Sequence, residues 1–167
     1  SEMERLDRKP GEKSGATGAL GEEERGSVVE LVGNGALTAA VRWSVEVQRA
    51  GKAVVWVSAR DDGFFPPDLA KNGMVLEALP VVRVREREEC VEAIDTLMRC
   101  GYFSLVVVDW NVEWPLEGAL QTRFFRLGRR HSVTLLFLGA EGGSGGIALV
   151  PLRLRATRRR RSPGIFS

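Results

Sequence analysis

The sequence predicts an α/β fold in three layers, a mostly parallel central sheet with helices on both faces. Three observations carry this. Short apolar runs rich in Val and Leu recur along the chain, separated by helical patterns. Two of them flank one helix within about 30 residues, the spacing of a βαβ unit. Several of the runs are apolar at nearly every residue rather than every second one, which marks strands covered on both faces.

Residues 1–26 are rich in Glu, Lys, Gly and Ser with almost no large apolar residue, so a flexible N-terminal arm is expected there. Ser27-Val28-Val29-Glu30-Leu31-Val32 starts the core and ends at Gly33. Asn34-Gly35 makes a turn, and a helical pattern follows from Thr38, the expected N-cap, to Ala50. Gly51-Lys52 stops it. Ala53-Val54-Val55-Trp56-Val57-Ser58 is a second strand. A loop over 59–73 has a turn at Phe65-Pro66-Pro67 and a short helix at 67–72; a third strand covers 81–84.

Residues 86–100 predict a helix with Cys90, Ile94 and Leu97 at core spacing, ended by Gly101. Ser104-Leu105-Val106-Val107-Val108-Asp109 is the clearest strand. Leu116, Leu120, Phe124 and Leu127 form a helical stripe, with Arg123, Arg126, Arg129 and Arg130 mostly off it. A strand over 133–138 and a glycine loop over 141–146 follow. Residues 147–155 alternate and read as one or two late strands. The chain therefore divides into an arm (1–26), one core domain (27–156) and a basic tail (157–167).

With 167 residues, 44% of them hydrophobic and 28% charged, the chain can bury a full core without staples. The longest apolar stretch, from Val133 to Ala140, is broken by Thr134 and Gly139. It is far short of the ~20 residues that span a bilayer, so no membrane association is expected. With no charged-then-apolar N-terminal signal, a cytoplasmic protein is expected. The chain opens on Ser1 rather than Met, which fits either a trimmed start or an added leading residue. Cys90 and Cys100 on one helix would lie ~15 Å apart along its axis, too far to bond. Free thiols fit a reducing compartment. There is no CxxC and His131 is the single histidine, so no metal site is expected.

The formal net charge is +2, but residues 151–167 hold six arginines and no acid, while 1–27 and 28–150 are each net −2. An arginine tail on an acidic body points to an anionic partner, nucleic acid or an acidic protein surface. A solubilising end is an equal reading.

Strand, glycine turn, helix is where a phosphate-binding loop sits. Such a loop needs G-x-x-x-x-G-K-[ST]: amides wrap the phosphates, the Lys reaches the β and γ oxygens, and the hydroxyl binds Mg²⁺. Here the stretch is Gly33-Asn34-Gly35-Ala36-Leu37-Thr38. It is short, and Ala36-Leu37 stand where Lys and Ser/Thr are needed. An ordinary turn without nucleotide or other cofactor is the expectation. Asp109 ends an apolar strand, a place that holds Mg²⁺ through water in nucleotide hydrolases. Without a phosphate loop opposite, a structural role for it is expected, accepting hydrogen bonds from the next turn.

Residues 28–155, about three-quarters of the chain, resemble the core of the RecA recombinase family. The resemblance rests on an ordered series: Val29-Glu30-Leu31-Val32-Gly33, Gln48-Arg49-Ala50-Gly51, Val55-Trp56-Val57-Ser58-Ala59 and Leu105-Val106-Val107-Val108-Asp109. It continues through Thr134-Leu135-Leu136-Phe137-Leu138, Gly145-Gly146-Ile147-Ala148-Leu149 and Leu152-Arg153-Leu154-Arg155. It implies a RecA-like, P-loop-type core with a degenerate phosphate loop. Arg60 stands where the family carries its catalytic Glu, so the resemblance implies no ATPase activity. The resemblance implies that the family's two DNA-binding loops are cut down to 110–115 and 141–146, and no counterpart of its added C-terminal domain is expected.

A stripped RecA core with a basic end looks like the ImuA family of small accessory proteins in DNA-damage mutagenesis; SulA, a cell-division inhibitor, is a related shape. The ImuA resemblance implies a non-enzymatic role in translesion synthesis, with an ImuB-type polymerase-like partner, an error-prone replicative polymerase, RecA itself, or several of these. Three other functions remain open: a SulA-like division inhibitor, a basic DNA-binding module with weak sequence-independent binding, and a residual RecA-class ATPase. Candidate nucleic-acid or partner residues are Arg153, Arg155, Arg158, Arg159, Arg160 and Arg161, with Arg123, Arg126, Arg129 and Arg130. Trp110 and Trp114 at a strand exit, and Phe64-Phe65 in a loop, read either as an apolar contact tip or as side chains folded back over the core. Trp43 and Trp56 are assigned to the core.

Overall fold

The structure is a computed structural model and describes residues 2–7, 26–59, 69–110, 113–139 and 152–160. Seven strands form one sheet: β1 (Glu2–Asp7), β2 (Val28–Val32), β3 (Ala53–Ser58), β4 (Val81–Arg83), β5 (Phe103–Asp109), β6 (Thr134–Leu138) and β7 (Leu152–Arg160). Their order is β1-β7-β2-β6-β5-β3-β4. Strands β2–β7 run parallel, and β1 joins the edge antiparallel to β7. The helices are α1 (Ala36–Arg49), α2 (Arg87–Arg99) and α3 (Gly118–His131). This is the predicted α/β sheet with helices on both faces.

Strand alternation sorts the core into two halves. Val29, Leu31, Val54, Trp56, Val107, Leu136 and Leu154 meet Ala40, Val41 and Trp43 of α1. Val55, Val57, Val106, Val108, Leu135 and Phe137 meet Cys90, Ile94 and Met98 of α2 and Phe124 and Leu127 of α3. The central strands are buried on both sides, which is why their sequences are apolar throughout. Trp56 can be fully buried because its indole N–H has an acceptor: it donates to Ser44 Oγ at 3.2 Å, and that hydroxyl donates to Ala40 O at 2.8 Å.

Several expectations are corrected. Helix α1 starts at Ala36, two residues before Thr38, with Gly35 as an N-cap that makes no side-chain hydrogen bond. The turn from β2 needs only Gly33-Asn34-Gly35, so Thr38 falls in the first helical turn and is not the cap. On α2 the third core position is Met98, one residue past the expected Leu97, because Cys90, Ile94 and Met98 keep strict i+4 steps. Leu97 is half-buried. The loop over 59–73 carries a 3₁₀ turn at Ala70–Asn72, and an unforeseen second one lies at Leu76–Ala78. Residues 60–68, with Phe64, Phe65 and Arg60, lie outside the described residues, as does the glycine loop over 141–146.

The largest correction concerns the termini. The arm expected over 1–26 supplies β1, and the tail expected from 157 begins inside β7. An edge strand needs a partner ladder on one side only, so it forms with just Met3 and Leu6 as large apolar residues in Glu2–Asp7. Of the stretch expected to hold one or two late strands, 152–155 belong to the single strand β7, and 147–151 lie outside the described residues.

Both cysteines are free, Cys90 buried and Cys100 exposed. Burial pushes the Cys90 thiol from its ordinary 9.0 up to about 12. Native protein treated with a maleimide near pH 8 should take one label, on Cys100, with Cys90 labelled only after unfolding. The same shift has a pH consequence. Above 9.0 the unfolded thiol loses its proton while the folded one keeps it to about 12, so the Cys90 contribution to stability falls as pH rises through that window. Cys90→Ala should remove that part of the alkaline slope in a pH series of melts.

Candidate functional site

In open α/β sheets, ligands sit at the carboxyl ends of the strands where the strand order reverses. Here β2 leads by α1 to β3 on one side, and its neighbour β6 leads to β7 on the other, so the reversal lies between β2 and β6. Ser58, Asp109, Leu138 and Leu31 stand level at this end in β3, β5, β6 and β2. Alternation turns all four toward the α1 side. Ser58 and Asp109 are each 3% exposed, an acid and a hydroxyl side by side beneath the start of α1. Ser58 Oγ makes no hydrogen bond among the described residues.

The β2–α1 turn closes this end tightly. Gly33 has φ +100°, and a Cβ there would stand 2.4 Å from Ala156 O of β7. The Gly35 N–H donates to the same carbonyl at 3.0 Å, and the Ala36 N–H donates to Gly33 O at 3.2 Å. A phosphate at a helix N-terminus would need such amides as donors. In this chain two of them are used within the protein. Ala36 is buried against the sheet, and Leu37 and Asn34 are exposed.

Two further residues at this end went unnoticed in the sequence. Glu30 is 3% exposed on the α2/α3 side of β2. Gly139 follows β6, and its N–H donates to Leu31 O at 2.7 Å. A Cβ on Gly139 would lie 2.9 Å from Glu30 Oε1, so the carboxylate sits against the switch point itself. A single acid inside an otherwise apolar strand was the available signal. Among the described residues, no group of three or more His, Cys, Asp or Glu is gathered to hold a metal.

The candidate arginines are scattered, and their roles differ. Asp95 of α2 accepts from Arg123 Nε at 2.8 Å and pairs with Arg99 Nε at 2.8 Å. Arg129 lies 5.0 Å over the Phe125 ring. Arg126 and Arg130 are exposed one helical turn apart on α3. Arg153, Arg155, Arg158, Arg159 and Arg160 fall in β7, Arg155 being exposed; Arg161 lies outside the described residues.

Trp110 takes the second of its two readings, folded back over the core. It is 8% exposed, its ring edge-to-face with Trp114 at 5.4 Å and Phe137 at 5.8 Å. Its N–H donates to Trp114 O at 3.1 Å. Trp110 caps the α2/α3 core and offers no contact tip, because the strand exit turns it inward and the Trp114 carbonyl satisfies its indole. Trp114 packs half-buried against the same cluster.

At the other end of the sheet lies an open groove of about 620 Å³, lined by Gln48, Lys52, Val75, Glu77, Tyr102 and Phe103 among others. Gln48 holds the Val75 backbone from both sides, donating to its carbonyl at 3.1 Å and accepting from its N–H at 2.9 Å.

Sheet order, glycine turn and strand-end aspartate together define a RecA-like core. No family model matches the chain. It is 37% identical to the RecA protein of Nocardioides sp. over 94 residues, which is 54% of this chain and 26% of that protein. The chain thus spans about a quarter of the length of this relative. Among solved structures, SulA from Pseudomonas aeruginosa matches with a TM-score of 0.55 and 17% identity, covering 68% of this chain and 97% of that one. The RadB recombinase matches with a TM-score of 0.54 and 20% identity, covering 70% of this chain and 62% of that one. The chain is RecA-like in fold, and in sequence over about half its length.

Proposed function

We propose that this protein is a non-hydrolysing RecA-like accessory protein of the DNA-damage response. In this reading it works through contacts with a RecA-fold or polymerase partner rather than through nucleotide turnover. The observation that carries the reading is the Gly35 N–H donated to Ala156 O, which commits a phosphate-loop amide to the protein's own sheet. The missing Lys and Ser/Thr at Ala36-Leu37 and the Arg60 in place of Glu support it. The resemblance to ImuA directs the role to translesion mutagenesis, with an ImuB-type partner, RecA, or both.

The first test is nucleotide. Calorimetry should find no saturable MgATP binding at ~1 mM and no hydrolysis above background. Saturable binding that depends on Asp109 would overturn the non-hydrolysing reading.

The second test is partner contact. A core homologous to RecA can offer one half of a protomer surface without the other, and so end a filament instead of extending it. RecA assembly on single-stranded DNA should therefore slow at substoichiometric to equimolar amounts of this protein. A basic strand coating the DNA would imitate that result. The control replaces Arg158, Arg159, Arg160 and Arg161 by Gln, since truncating at 156 would remove half of β7. If inhibition disappears with those charges, or if excess single-stranded DNA relieves it fully, filament capping is wrong.

One observation favours a second reading. The match to SulA covers 97% of that chain, so a core of this size is nearly all that such a protein contains. A SulA-like division inhibitor would instead block polymerisation of the division tubulin and leave RecA filaments untouched.

A further inference from the structure

The N-terminal strand faces the arginines of the C-terminal strand in a charge-matched register. Glu2 stands opposite Arg160, Glu4 opposite Arg158 and Asp7 opposite Arg155. Between them Leu6 faces Ala156, Arg5 faces Thr157 and Met3 faces Arg159. Every acid of β1 is opposite an arginine, and no like charges face each other. In antiparallel strands, directly opposite residues are the neighbours that interact, and opposite charges there select the register.

The two strands also run beyond the rest of the sheet. The pairing of β7 with β2 ends at Val32–Arg155, so among the described residues 157–160 are laddered to β1 alone. A two-stranded ribbon is marginal by itself. Among the described residues β1 is an edge strand paired with β7 alone, so its release leaves the order β7-β2-β6-β5-β3-β4 standing. Release would expose an edge whose last nine residues, Leu152–Arg160, include five arginines and no acid.

We propose that β7 is a binding strand for the phosphodiester backbone of single-stranded nucleic acid, and that β1 is a built-in acidic cover competing with phosphate for the same arginines. With Glu2, Glu4 and Asp7 at register positions opposite three of these arginines, a phosphate has to compete with a carboxylate for each, so the closed chain should bind polyanions less tightly than the open one. This rests on the damage-response reading only in taking nucleic acid as the ligand; the charge register stands apart from it. Salt should weaken both the cover and the ligand, because each would act through charge at the edge of the sheet. Neutralising the cover separates them.

The experiment measures fluorescence anisotropy of a labelled single-stranded oligonucleotide across a salt series. It compares the intact chain, the triple variant Glu2→Gln/Glu4→Gln/Asp7→Asn, and a chain lacking residues 1–7. Circular dichroism confirms that each is folded. The triple variant and the deletion should both bind about tenfold more tightly at low salt, with a slope in log salt steeper by up to about 2, three freed arginines at ~0.7 each. Adding Arg155→Gln, Arg158→Gln and Arg160→Gln to the triple variant should erase the gain. A synthetic peptide of residues 1–8 should compete with the oligonucleotide on the deleted chain. If the intact chain binds and the variants bind equally well, the cover is wrong while nucleic-acid binding stands. If no form binds, the nucleic-acid ligand is wrong and the proposal fails with it. If the deleted chain takes the acidic peptide and refuses the oligonucleotide, the edge is a peptide-docking strand and the polyanion site is overturned.

Discussion

Phe137→Ala is expected to cost about 3–5 kcal/mol of folding stability. Phe137 is fully buried in β6, a central strand with β2 on one side and β5 on the other. Its ring sits under Trp110 at 5.8 Å and belongs to the cluster holding Phe124 and Ile94. Two helices and the indole cap meet there, so the vacated volume cannot collapse without moving fixed backbone. At about 2–4 °C per kcal/mol for a domain of this size, the melting temperature should fall by roughly 6–20 °C. Trp114→Ala is the graded control. Its side chain is half-buried at the rim of the same cluster, and water can fill its place, so its loss should be clearly smaller. If the two variants melt together, Trp110 and Phe137 are not the cover and centre of one core.

The strands were legible because burial on both faces leaves its mark in consecutive residues. The bounds of β3 match the apolar run Ala53-Val54-Val55-Trp56-Val57-Ser58, and β5 starts one residue earlier than its run. Helix faces were legible to within a step. Leu97 and Met98 are both apolar, and only packing against β5 and α3 decides which one goes in. The terminal strands were not legible. β1 is held by a backbone ladder with a segment about 150 residues later, and no local pattern encodes that pairing. The same holds for the site. The glycine turn and Asp109 stand out because strand, turn and helix are consecutive. That Ala156 O accepts from Gly35, and that Glu30 lies against Gly139, follows from β7 and β6 flanking β2, an order absent from the linear sequence.

Gly33→Ala should destabilise the protein far more than Gly51→Ala, and the difference measures how closely β7 presses on the β2–α1 turn. Both glycines have positive φ, +100° at Gly33 and +76° at Gly51. A side chain at either site meets the backbone strain of that region, about 1–2 kcal/mol. Their surroundings differ. A Cβ on Gly51 has nothing within 4 Å, whereas a Cβ on Gly33 would be 2.4 Å from Ala156 O. That carbonyl belongs to a sheet strand and already accepts the Gly35 N–H, so it cannot swing aside like a flexible side chain. Either β7 moves off β2 or the turn opens and α1 loses its first hydrogen bonds. Gly51→Ala should therefore cost about 1 kcal/mol and Gly33→Ala about 3 kcal/mol or more. Hydrogen exchange locates the damage: amides of 152–156 should lose protection in Gly33→Ala and keep it in Gly51→Ala. Equal melting temperatures for the two variants would mean that Ala156 does not close over the turn. The Gly35 amide would then be free to meet a phosphate, and the reading of this core as one that does not hold nucleotide would lose its main support.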